Sequence, residues 1–107
     1  MTTVTFHMQD DRIQGFTCEG HSGYAEAGAD IICAAVTTAV RFAEATVTDV
    51  LGFSAKVRVN EEDARISLTL PADALEDETA QAVLTGLMLT LCELRDENPE
   101  YIDVLEV

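Results

Sequence analysis

The sequence predicts an α+β fold in the order β-β-α-β-β-α-β, with two helices on one face of a mostly antiparallel sheet. Three observations predict it. Alternating apolar runs come in pairs joined by short polar connectors, a long stripe at helical spacing follows each pair, and one more alternating segment closes the chain.

Thr3 to Met8 alternates, with Val4, Phe6 and Met8 on one side, as a strand with one buried face does. Asp10-Asp11 makes a turn, and Ile13 to Cys18 reads as a second, less regular strand that completes a hairpin. Gly20 to Ala29 is a loop holding Gly20, Gly23 and Gly28, three of the six glycines. Glycine opens backbone conformations closed to other residues, so this loop can be tightly turned or mobile. Asp30 then reads as the N-cap of the first helix, its carboxylate accepting the free amides of the first turn. Ile32, Val36, Ala39, Ala43, Val47 and Val50 follow at helical spacing, and Gly52 is a suitable stop. The helix is about six turns long.

In two further alternating runs Ala55, Val57 and Val59 share a face, as do Ile66, Leu68 and Leu70, with Asn60-Glu61-Glu62-Asp63 as the turn between them. Pro71 ends the second run. Ala80, Val83, Leu84, Leu87, Met88, Leu91 and Leu94 form the stripe of a second helix, closed by Asn98-Pro99. Tyr101 to Val107 is the last strand.

The 107 residues fit one compact domain, 1–107, and at 48% hydrophobic they can build a core. A domain this small buries a modest share of its surface, so dimerisation would add to its stability. The formal net charge is −14, from 20 acidic and 6 basic residues. Such a surface repels phosphate backbones and anionic lipid, which disfavours direct nucleic-acid and membrane binding. It attracts basic proteins, although the same charge also serves plain solubility. The three cysteines, Cys18, Cys33 and Cys92, are odd in number and have no paired spacing. That argues against a disulfide framework and for reduced thiols in the cytoplasm. Met1-Thr2-Thr3-Val4 has no basic or apolar leader character, and the apolar stretches are interrupted well short of the ~20 residues that span a membrane.

Cys33 is the first candidate for chemistry. It lies three positions after the expected cap, in a first helical turn whose partial positive charge favours a thiolate. The helical wheel puts it at the edge of the apolar face, where a thiol can reach a cleft. A small buried cysteine that merely packs occupies the same kind of position. His21, beside Gly20 and near Gly23, precedes this helix, and a loop folding back over the helix start would give the thiol an imidazole base. An exposed loop histidine fits the same residues. Asp30 caps the helix or orients His21, and Thr37, one turn after Cys33, carries a hydroxyl on the same flank. Gly23 to Gly28 has the glycine spacing of a phosphate loop but lacks the Lys-Ser/Thr that must follow. Cys18, His21 and Cys33 are three possible zinc ligands without a clear fourth, and the preferred reading needs no metal and no cofactor. Cys92 packs beside Leu91, and His7 lies opposite Phe6, exposed.

The stretch Gly20-His21-Ser22-Gly23-Tyr24, followed by Gly28-Ala29-Asp30-Ile31-Ile32-Cys33-Ala34-Ala35-Val36-Thr37, resembles the signature of the ribosomal-processing cysteine protease (Prp) family. That signature is a Gly-His-Ala/Ser-Gly loop and then Gly-x-Asp-Ile-Val/Ile-Cys-Ala-Ala-Val-Ser. The similarity runs on to Pro99-Glu100-Tyr101-Ile102. It implies a homodimeric cysteine endopeptidase that removes a short N-terminal extension from a basic large-subunit ribosomal protein, cleaving after an aromatic residue. By position the nucleophile falls on Cys33, the histidine on His21 and the aspartate on Asp30. Thr37 stands where the family has a serine. Ordinary acyl transfer follows: His21 takes the Cys33 proton, the thiolate attacks the scissile carbonyl, and amides near Ile32 and Cys33 hold the oxyanion. Two other classes fit the residues: a non-catalytic ribosome-assembly or peptide-binding module, and a thiol redox sensor pairing Cys33 with Cys18.

Overall fold

The structure, a computed structural model, describes residues 1–20 and 27–107, the stretch 27–30 by its backbone alone. Strands β1 (Thr2–Gln9) and β2 (Arg12–Glu19) lead to helix α1 (Ala27–Ala45), which runs into a π turn over Thr46–Val50. Strands β3 (Lys56–Asn60) and β4 (Arg65–Thr69), helix α2 (Glu78–Glu97) and strand β5 (Ile102–Glu106) complete the expected order. The sheet runs β3-β4-β2-β1-β5. Its pairs are antiparallel except the last, where β5 returns parallel to β1.

Register explains the core. Val4 lies opposite Cys18 and Val104, Phe6 opposite Phe16, and Phe16 opposite Leu68, so these side chains share one face. Against that face pack Ile32, Val36, Val40, Ala43 and Val47 of α1 with Leu84, Leu87 and Leu91 of α2, all buried. Each large apolar side chain so buried is worth about 1.5–3 kcal/mol. Val50, expected in the α1 stripe, is 75% exposed. The π turn inserts one extra residue and rotates Val50 out of line.

The first hairpin turns at Asp10, whose φ is 57°. A bulge falls where His7 faces Gly15 and Met8 faces Ile13, which is why β2 reads irregularly in the sequence. Gly15 is obligatory here, because a Cβ would drive into the Leu68 backbone of the neighbouring strand. In the second hairpin the Asn60 side-chain oxygen accepts the amides of Glu62 and Asp63 at 3.0 and 3.2 Å.

Two expectations are corrected. Helix α1 begins at Ala27, so Asp30 is its fourth residue and not its N-cap. Ala27 and Ala29 are strong helix formers, and they carry the helix upstream past the acidic residue. The stretch Ile31–Val50 is also long and apolar enough, by composition, to cross a membrane. Counting uninterrupted apolar runs missed it; in the fold its inner stripe is the core described above. A cap the sequence reading did not name is Asp77, whose carboxylate accepts the Ala80 amide at 2.9 Å and starts α2.

Gln81 of α2 ties the helix to the sheet. Its amide oxygen accepts the Ile13 amide at 2.8 Å, while its nitrogen donates to the carbonyls of Ile13 at 2.8 Å and Leu75 at 3.0 Å. It acts as a short substitute strand at the point where β4 no longer lies beside β2. Gln81→Ala should therefore lower stability by about 1–3 kcal/mol in urea unfolding, since it strands part-buried backbone groups. Thr85→Ala, on the exposed side of the same helix, should change it by less than about 0.5 kcal/mol.

Candidate active site

Cys33 is the seventh residue of α1 and is half-buried. It sits beside the inward stripe, where the helix crosses the start of β1, and its Sγ lies 3.4 Å from the hydroxyl of Thr2. Cys18 of β2 is buried below the same region. Burial pushes the Cys18 thiol up from the ordinary 9.0 to about 11, with the charges of Cys33 and then Glu19 adding to the rise. The two sulfurs are thus close enough to feel each other, and the deeper one holds its proton.

Gly20 follows β2 with φ at +95°, and a Cβ there would lie 2.5 Å from the Met1 carbonyl oxygen. Only glycine meets both conditions. His21 and Gly23 lie outside the described residues, as does most of the loop expected to be tightly turned or mobile. Among the described residues, Gly20 lies against Met1 and Cys33 against Thr2. Asp30 is placed by backbone within the first turn and a half of α1.

Thr37 is exposed, one turn beyond Cys33. It lines a cleft of about 350 Å³ between α1 and the β3–β4 hairpin, together with Cys18, Arg41, Val59, Asn60 and Arg65. The neighbouring Thr38 bonds back to the Ala34 carbonyl at 2.9 Å, as helical threonines commonly do. Cys92 is half-buried against the core. His7 is exposed on the opposite face of the sheet, with Nε2 2.9 Å from the Thr17 hydroxyl. Among the described residues no group of three or more His, Cys, Asp or Glu side chains is arranged to hold a metal ion.

The earlier helix start changes the chemistry expected of α1. Only the first four amides of a helix lack an intrahelical acceptor. In a helix beginning at Ala27, Ile32 and Cys33 lie beyond them. Those two amides are committed to the helix and do not form an oxyanion site. The favourable helix field also fades after the first turn, so Cys33, in the second, draws less from it than the sequence implies.

Sequence reasoning missed Thr2. The signal was present: carrying the alternation of Val4 and Phe6 back by two positions puts Thr2 on the inward face. Reading the strand from Thr3 left it out.

The chain matches the family model described as cysteine protease Prp over residues 1–103. It is 31% identical over 95 residues to the ribosomal processing cysteine protease Prp of Bacillus subtilis (strain 168), covering 85% of this chain and 84% of that protein. Its fold is shared by SMU.848 of Streptococcus mutans, with a TM-score of 0.92 at 22% identity over 100% of this chain and 97% of that one. The essential ribosomal processing protease Prp of S. aureus, in complex with a substrate peptide, superposes with a TM-score of 0.89 at 17% identity over the full length of both chains.

The thiols should differ in reactivity. With iodoacetamide at neutral pH, Cys33 should alkylate first and Cys18 last, read by peptide mass mapping; equal rates would contradict the placement. The raised Cys18 thiol binds its proton more tightly in the folded state. Its contribution to stability is thus fully present below pH 9.0 and is lost as the pH rises through about 11. Cys18→Ala should flatten the stability profile in that window.

Proposed function

The chain belongs to the family of cysteine proteases Prp and is a cysteine protease; on that premise we propose that it removes a short N-terminal extension from a basic large-subunit ribosomal protein, with Cys33 as nucleophile and His21 as base. The observation that supports the assignment of residues is that Cys33 and Gly20 each touch a neighbouring residue at the start of β1. Gly20 lies against Met1, Cys33 lies against Thr2, and His21 is bonded directly to Gly20. In this reading the His21 imidazole reaches the thiol from there.

In this reading His21 accepts the Cys33 proton, and the thiolate forms a bond to the scissile carbonyl carbon. The amine departs with a proton from the imidazolium, and water then releases the acyl group from the sulfur. Asp30 and Thr37 flank the nucleophile on α1 as supporting residues, and Gly20 and Gly23 shape the loop that carries the base. The net charge of −14 favours encounter with a basic substrate and disfavours direct contact with nucleic acid. Free thiols at Cys18, Cys33 and Cys92 suit a reducing cytoplasm. The reading requires no cofactor.

The protein also acts as a homodimer in this reading. An open groove of about 780 Å³ runs between α1 and α2, floored by Ala34, Ala35, Ala39, Ala82 and Gly86, with Phe42 at its rim. Phe42 is 69% exposed and Ile31 68%. An apolar helix face of this kind fits the same face of a second copy, where small residues allow close approach.

Cys33→Ala should fold, at a cost of about 1 kcal/mol, and lose cleavage of the extended ribosomal protein by at least about 10³-fold. Cys33→Ser should fail likewise, His21→Ala should nearly match it, and Cys18→Ala and Cys92→Ala should cleave normally. A well-folded Cys33→Ala that still cleaves would sink the assignment. For the dimer, light scattering at tens of micromolar should give twice the chain mass for the native protein and the monomer mass for Phe42→Glu; a monomeric native protein would contradict it.

A further inference from the structure

Thr2 is an unusual residue for its position. It opens β1, and its side chain follows the inward phase of Val4 and Phe6 into the core, where it is only 3% exposed. The other inward residues nearby on β1 and β5 are apolar: Val4, Phe6, Ile102 and Val104. A hydroxyl buried among them is unfavourable unless it finds a partner. Among the described residues that partner is Cys33 Sγ, 3.4 Å away. The main chain holds Thr2 still: its amide donates to the Tyr101 carbonyl at 2.9 Å, and it pairs with Ile102 of β5.

We infer that Thr2 is a positioning residue for the Cys33 nucleophile, its hydroxyl fixing the sulfur and donating to it once the thiol proton has left. The inference rests on the reading of Cys33 as nucleophile and adds to it a residue outside the loop and helix that carry the family signature. In the resting pair either group can donate, and a bond to a neutral sulfur is weak. After His21 has taken the proton, the thiolate can only accept. The Thr2 hydroxyl then turns its own proton toward the sulfur, and the bond becomes charge-assisted and stronger. Thr2 neither gains nor loses a proton in this cycle. It strengthens its hold in the state that attacks, and because β1 is clamped between two strands it holds the sulfur in one direction. Cys18 shares this patch but lies deeper, and burial keeps its proton in place. The Thr2 hydroxyl thus serves the shallower of the two thiols.

Paired substitutions test this, because they separate hydroxyl from shape. Thr2→Val keeps the branched form and the inward packing but removes the donor. Thr2→Ser keeps the donor and removes a methyl group. If the hydroxyl positions the nucleophile, Thr2→Val should lose about ten-fold in kcat, the order expected for one hydrogen bond to a charged group, with KM little changed. Its Cys33 should alkylate slower by a similar factor, while Thr2→Ser stays close to wild type in both. The alkylation rate needs no substrate, so it reads Thr2 even if the assigned substrate is wrong. A Thr2→Val protein that cleaves and alkylates like wild type, or a Thr2→Ser protein as impaired as Thr2→Val, would overturn the inference. Cys33→Ala, run alongside, tells the two levels apart: if it still cleaves, the nucleophile assignment fails, whereas inactive Cys33→Ala with fully active Thr2→Val removes only the role of Thr2.

Discussion

Strand β1 is paired with β5 from Thr2 and with β2 from Thr3, and the rest of the molecule depends on that clamp. Antiparallel β2 covers one edge and parallel β5 the other. The Tyr101 carbonyl fixes the Thr2 amide, and the Met1 carbonyl crowds Gly20 so closely that no side chain fits. With β1 so placed, its inward residues Val4 and Phe6 define the floor on which α1 must lie. The stripe Ile32, Val36, Val40 locks onto that floor, and Cys33, next to the stripe and not in it, is left at the mouth.

The arrangement sets two chemical environments a short distance apart. Inside, Cys18 is desolvated and keeps its proton. At the mouth, Cys33 is half-buried, beside a hydroxyl and the strand end from which His21 departs. Between α1 and α2 the outer surface is floored by small residues, Ala34, Ala35, Ala39, Ala82 and Gly86, which leaves an open apolar groove there.

Much of this is legible in the sequence because it is local. Period-two alternation marked the strands, period 3.6 marked both helices, and the Asn60 turn declared itself by composition. Cys33 and His21 stood out as candidates through the resemblance of Gly20 to Thr37 to the family signature; taken alone, Cys33 also reads as a packing cysteine and His21 as an exposed loop residue. What escaped was set by tertiary contact or by competing local preferences. Asp30 looks like a cap until Ala27 and Ala29 extend the helix past it, and that one shift removes the Ile32 and Cys33 amides from the oxyanion role. Gln81 is an ordinary helical residue until the bulge in β2 leaves the Ile13 backbone beside it. Thr2 carries its meaning only because β5 returns parallel and α1 brings a sulfur over it.

The central claim is that Cys33, at the mouth beside β1, makes the covalent bond to the substrate carbonyl. A peptide spanning the extension and ending in an aromatic chloromethyl ketone tests it most directly. Intact mass and peptide mapping should find one equivalent of adduct, on Cys33 alone, with cleavage abolished in step with labelling. An adduct on Cys18 or Cys92, or full cleavage by protein completely labelled at Cys33, would contradict the account.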